Sequence, residues 1–111
     1  MDDMVQTVNL DQATITLISF ALKAGKVVKG FESVQKSIRN NALEIILLDA
    51  KISRKTLKRM ETKIKNSDVL LYRTFSDLDW KKNWGIEFHK ILGILKGDFG
   101  KSLRTKLKAG V

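Results

Sequence analysis

Four cations, Lys26, Lys29, Lys36 and Arg39, fall within residues 26–39 together with Glu32, Ser33 and Gln35. The chemistry open to such a set is the capture of an anion. Gly30 stands where a helix would start and supplies no side-chain oxygen to cap it. The first amides of that helix therefore stay free for an external guest, and the helix dipole favours negative charge there. A phosphate has the matching charge and acceptor oxygens. The same residues also fit an ordinary solvated face at a loop-to-helix junction, and on their own they do not decide between the two readings.

Covalent and metal chemistry find little support elsewhere. There are no cysteines, which excludes disulfides, thiolate metal sites and thiol nucleophiles together. His89 is the one histidine, two residues from Glu87 in a stretch that reads as strand, and it is more simply structural than catalytic. The seven glycines form neither G-x-x-x-x-G-K-[ST] nor G-x-G-x-x-G. Residues 97–100 spell G-D-F-G, which contains the magnesium-binding triplet of protein kinases, but 111 residues are too few for a kinase and every companion motif is missing. Trp80 and Trp84 are spaced as a helical core pair rather than as a base-stacking platform. The expectation is a protein that is not an enzyme: no catalytic residue, no metal, no cofactor and no small-molecule substrate.

Charge points to a partner. Twenty-one Lys and Arg against twelve Asp and Glu give a net +9 and a pI near 9.9, so a polyanion, foremost a nucleic acid, is the partner class expected. A generally basic solvated surface is the plainer alternative. No lysine run adjoins a long apolar stretch, which argues against a membrane partner. The start, M-D-D-M-V-Q, is acidic where a signal peptide would be basic, and no apolar run approaches the ~20 residues that cross a bilayer, so a cytoplasmic location is expected.

These residues must be positioned by one core, because 111 residues with 43% apolar content suit a single domain. Residues 1–8 read as a loose lead-in and 9–111 as the domain, with no proline and no linker-like stretch. Asn9 or Asp11 can cap a first helix with Ile15, Ile18 and Leu22 on one stripe, ended by Gly25. Val27 to Lys29 then make a short strand, and residues 31–40 a second helix with Phe31, Val34 and Ile38 inward. Ile45 to Leu48 is apolar on both faces, as in a central strand covered on each side. Ser53 caps a third helix with Leu57, Met60 and Ile64 inward, residues 69–72 form a strand, and Ser76 and Asp79 signal a short helix ended by Gly85. Residues 86–95 read as the longest strand, and Asp98 caps a last helix with Phe99, Leu103 and Leu107 inward. The alternation predicts an α/β fold, a three-layer α/β/α sandwich with one mixed sheet of about four strands.

The pattern L-x-x-A-x-x-A-G-K-[LV]-V-x-G-x-E-x-V-x-K-x-I-R is matched by Leu17 or Ile18, Ala21, Ala24, Gly25, Lys26, Val27, Val28, Gly30, Glu32, Val34, Lys36, Ile38 and Arg39. It resembles the kink-turn RNA-binding superfamily named after ribosomal proteins L-seven-Ae and L-thirty-e, and most nearly its small bacterial YlxQ-type members. The strand at Ile45 to Leu48, Gly85-Ile86-Glu87-Phe88, and Ile91-Leu92-Gly93-Ile94 with Gly97 and Phe99 extend the likeness over about 90 residues. The resemblance implies an α/β/α sandwich and an RNA contact set of Lys26, Gly30, Phe31, Glu32, Ser33 and Lys36, with Arg39 on the same basic stretch. It also implies a second loop, Ile86, Glu87 and Phe88, that covers an extruded nucleotide. The implied partner is structured RNA, ribosomal or otherwise stable, with the ribosome or its proteins nearby.

Archaeal and eukaryotic members of that superfamily carry Asn-Glu where this chain has Glu32-Ser33. An ionised Glu only accepts hydrogen bonds and repels phosphate, whereas Asn both donates and accepts. A second reading follows from that exchange: a protein-interaction module of the same fold, docking on an acidic protein or ribosomal surface.

Overall fold

Five helices alternate with five strands over residues 5–109, the part of the chain that the computed structural model describes. In order they are β1 (Gln6–Val8), α1 (Gln12–Lys23), β2 (Val27–Lys29), α2 (Phe31–Arg39), β3 (Leu43–Leu48), α3 (Arg54–Lys63), β4 (Leu70–Thr74), α4 (Trp80–Trp84), β5 (Ile91–Leu95) and α5 (Asp98–Ala109). One mixed sheet has the strand order β1-β4-β3-β5-β2. Within it β1, β4 and β3 are parallel, and β5 runs antiparallel to β3 and β2.

The three layers follow from side-chain alternation on β3. Ile45 and Leu47 face one core with Ile18, Trp80 and Leu103, while Ile46 and Leu48 face the other with Val34, Leu57 and Met60. All are essentially inaccessible, and burial of each such aliphatic side chain stabilises the fold by about 1.5–3 kcal/mol. A register shift between Leu43 and Ile45 lets Glu44 turn toward α5, where Arg104 Nη1 donates to its Oε2 at 2.8 Å. Gly93 lies mid-strand because a Cβ there would stand 2.8 Å from Leu43 and 2.9 Å from Val28.

Caps set the helix starts. Asp11 accepts from the Thr14 amide at 2.8 Å, Ser53 from the Thr56 amide at 3.1 Å, and Asp79 from the Lys81 and Lys82 amides. The two tryptophans of α4 pack edge to face at 5.5 Å between centroids, with Trp80 donating to Thr74 and Trp84 to the Ile15 carbonyl.

Two expectations are corrected. The sheet has five strands rather than about four, because Gln6–Val8, within the expected lead-in, pairs in parallel with β4. Residues 1–4 of that lead-in lie outside the described residues. Three residues are too few for alternation to register, and the partner strand is remote in sequence. The expected strand at residues 86–95 is strand only from Ile91; residues 86–90 are a loop. Alternation of Ile86 and Phe88 with polar neighbours imitated a strand there, although one of these two side chains is buried and the other exposed.

Register places the loops. Leu48 pairs with Ile91 and Lys29 with Leu92, so the C-terminal ends of β2 and β3 meet the start of β5 at one end of the sheet. Open α/β sheets bind ligands at that end of their strands.

Candidate nucleic-acid interface

Three loops are locked together at that sheet end. The Gly30 amide donates to the Ile91 carbonyl and the Asp49 amide to the Lys90 carbonyl, each at 2.9 Å. Gly30 has φ 91° and ψ 159°, a backbone region that side chains strain, and a Cβ there would lie 3.0 Å from His89 Nδ1. The loop of residues 86–90 therefore rests on the β2–α2 turn. Between this loop and the β3–α3 connection opens a cleft of about 350 Å³, whose walls include Gly30, Phe31, Lys51, Thr56, Phe88 and Lys90.

The walls differ in character. No side chain caps α2, so its first-turn amides keep the unmet hydrogen-bonding capacity of a helix start, while Ser53 satisfies α3 on the opposite wall. Phe88 is 88% exposed, a large apolar ring with almost nothing against it. Phe31 is half-buried, with the Arg59 guanidinium stacked 4.2 Å from its ring centre. Lys51, His89 and Lys90 are exposed, and the Asp49 carboxylate accepts from the Lys51 amide at 2.8 Å, which shapes the loop that carries this cation. Cations, an exposed aromatic face and free amides together can hold phosphates and stack on a base.

The residues expected to act together are divided. Gly30, Phe31 and Phe88 line the cleft, and Glu32 and Ser33 are exposed on the first turn of α2 beside it. Lys36 is exposed one turn farther on, and Glu87 is exposed and paired with Lys81 at 3.0 Å. Ile86 is 5% exposed and belongs to the core around Trp80, so it anchors the loop from beneath and offers no contact surface. Lys26 immediately precedes β2, some four residues or ~13 Å from Gly30, and its carbonyl accepts from the Leu95 amide at the far sheet end. Arg39 closes α2, eight residues or ~12 Å beyond Phe31, at the same far end. A strand and a helix that run in opposite directions leave both Lys26 and Arg39 at the sheet end away from the cleft.

Lys51, Thr56, His89 and Lys90 were not singled out as contacts from the sequence. His89 read as an incidental strand residue, and nothing local marks Lys51 as a cleft wall. The available signal was the order of strands, since a β3–α3 loop next to the start of β5 follows only from β3 lying between β4 and β5. Among the described residues no group of three or more His, Cys, Asp or Glu could hold a metal ion. No described helix is long and apolar enough to cross a membrane.

No family model matches the chain. The chain is 28% identical over 97 residues to the RNA-binding protein YlxQ of Enterococcus faecium, an alignment spanning 87% of this chain and 93% of the relative. Its fold is shared by a protein of unknown function from Bacillus halodurans, with a TM-score of 0.77 at 16% identity over 88% of this chain and 99% of the other. It is shared also by the 15.5kD RNA binding protein of Giardia lamblia, with a TM-score of 0.71 at 12% identity over 92% and 93% of the two chains. The resemblance to YlxQ-type proteins expected from residues 17–39 is borne out by the first of these relatives.

Proposed function

We propose that this protein binds structured RNA, kinked or bulged, without catalysing a reaction, and that the cleft beside Gly30 receives an extruded nucleotide. The observation that carries this reading is Phe88, an 88% exposed ring set against an uncapped helix start and flanked by Lys51 and Lys90. An isolated aromatic ring in that setting gains its packing partner when a base stacks on it. The names of the Enterococcus and Giardia proteins, both described as RNA-binding, support the same partner class. Ribosomal or other stable RNA in the cytoplasm fits the net charge of +9.

In this reading Gly30, Phe31, Ser33, Lys36, Lys51, Phe88 and Lys90 make contacts, and Glu32 accepts from a base edge rather than touching phosphate. Lys26, just before β2, and Arg39, at the end of α2, lie outside the contact set. The exposed carboxylate of Glu32 on the first turn of α2 favours the second reading, docking on a protein surface. Backbone amide shift mapping during titration with a kink-turn RNA separates the two. Shifts gathered on residues 30–33, 51–56 and 87–90 are expected; shifts scattered over α1 and α5 would refute the site.

A further inference from the structure

The cleft accounts for few of the cations, and the densest remaining group is on α3. Its sequence, R-K-T-L-K-R-M-E-T-K, carries five cations and one acid. Leu57 and Met60 are buried, while Lys55, Lys58, Arg59 and Lys63 are exposed on the opposite side. Glu61 is half-buried on the flank, along a separate groove lined by Val5, Ile64 and Leu71, and so does not interrupt the basic face.

Lys55, Arg59 and Lys63 form an i, i+4, i+8 row, each ~6 Å farther along the helix axis than the last. The row begins at the cleft, because Ser53 and Thr56 at the start of α3 are part of its wall. It is joined to the first turn of α2 by the Arg59–Phe31 stack at 4.2 Å. The cations of α5 cannot extend the same surface, since α5 packs beside α1 on the other face of the sheet and Arg104 is engaged by Glu44.

We infer that the outer face of α3 is a second contact surface, which holds the phosphates of a double-stranded arm of the RNA as that arm leaves the cleft. The inference rests on the RNA-binding reading of the cleft. A regular row of point charges with no apolar or acidic residue among them suits a uniformly charged, sequence-independent backbone. An acidic protein would need some apolar contact beside the charges to bind specifically, and the exposed face of α3 offers none.

The test compares the wild type with the double variant Lys55→Gln/Lys63→Gln on two kink-turn RNAs that differ only in the length of one stem. Both substitutions are on the exposed helix surface, and an unchanged melting temperature confirms the fold. On the long-stemmed RNA the variant is expected to bind roughly tenfold more weakly, with a salt slope flatter by about two units; on the short-stemmed RNA it should match the wild type. Equal losses on both RNAs, or none on either, overturn the inference while leaving the cleft reading intact. Competition by polyglutamate as effective as by double-stranded RNA would identify an acidic-protein surface and overturn it too. A wild type that binds neither RNA fails both readings together.

Discussion

The imidazole of His89 lies over the backbone of Gly30, with Nδ1 3.0 Å from where a Cβ would stand. This contact seats the loop that bears Phe88 on the start of α2, and it makes Gly30 sensitive twice over. Gly30→Val should lower stability by about 1–3 kcal/mol through its φ of 91° alone, and should abolish RNA binding by pushing the loop off the turn. Gly30→Ala combined with His89→Ala should remove the clash with the imidazole but neither the backbone strain nor the loss of the contact that seats the loop. Urea titration beside RNA titration checks both, and a Gly30→Val protein with native stability and affinity would contradict the geometry.

Phe88 offers the opposite test, function without stability. At 88% exposure it contributes almost nothing to the fold, so Phe88→Ala should leave unfolding within about 0.5 kcal/mol of wild type. If it stacks on a base, the same change should weaken RNA binding by roughly 1–3 kcal/mol. A variant that loses stability instead of affinity would mean that the ring has a partner in the free protein.

The split between the cleft and the far sheet end can be read from salt dependence. Lys36→Gln should weaken binding and flatten the plot of log affinity against log salt by about one unit. Lys26→Gln should leave the slope unchanged, since Lys26 lies just before β2 at the far sheet end, where its carbonyl accepts from the Leu95 amide. Equal effects of the two changes would extend the RNA contacts to the far sheet end rather than confine them to the cleft side.

Two groups, Asp11 and Tyr72, should make the stability of the fold depend on pH. Hydrogen bonds from the Thr14 side chain and amide hold the Asp11 carboxyl below its ordinary pKa, so its cap on α1 stabilises fully above the usual carboxylate range and is lost as pH falls through the lowered value. Asp11→Ala should therefore reduce the melting temperature at neutral pH, with the difference from wild type vanishing in strong acid. Burial raises the Tyr72 phenol, so its contribution is complete below the ordinary tyrosine value of about 10 and falls as pH rises through the raised one. Tyr72→Phe should remove that alkaline loss. Melting curves across the pH range measure both.

What the sequence disclosed was local. The turn at Gly30, the cap at Ser53, one of the two caps offered for α1 (Asp11) and the doubly buried β3 each follow from residue types within one turn or one strand, whereas the Ser76–Asp79 signal fell short by three residues, since Asp79 itself caps α4. What it hid was non-local. β1 exists only because a remote strand receives it, and Lys51 and Phe88 line one cleft only because β3 lies beside β5. Alternation misled at residues 86–90, where Ile86 is pinned in the core and Phe88 projects into solvent from a loop that forms no ladder. The motif match over residues 17–39 ran along the end of α1, one strand and one helix, and so could not reveal that this strand and helix run in opposite directions and carry Lys26 and Arg39 away from Gly30.

The measurement that bears most directly on the central claim is the affinity of the wild-type protein for a labelled kink-turn RNA and for a plain duplex of equal length, at two salt concentrations with excess unlabelled competitor. Recognition through the cleft predicts a preference for the kinked RNA that persists at the higher salt, because stacking on Phe88 and contacts at the start of α2 are not screened as phosphate contacts are. Equal binding to both RNAs, lost together as salt rises, would contradict it and leave only a basic surface.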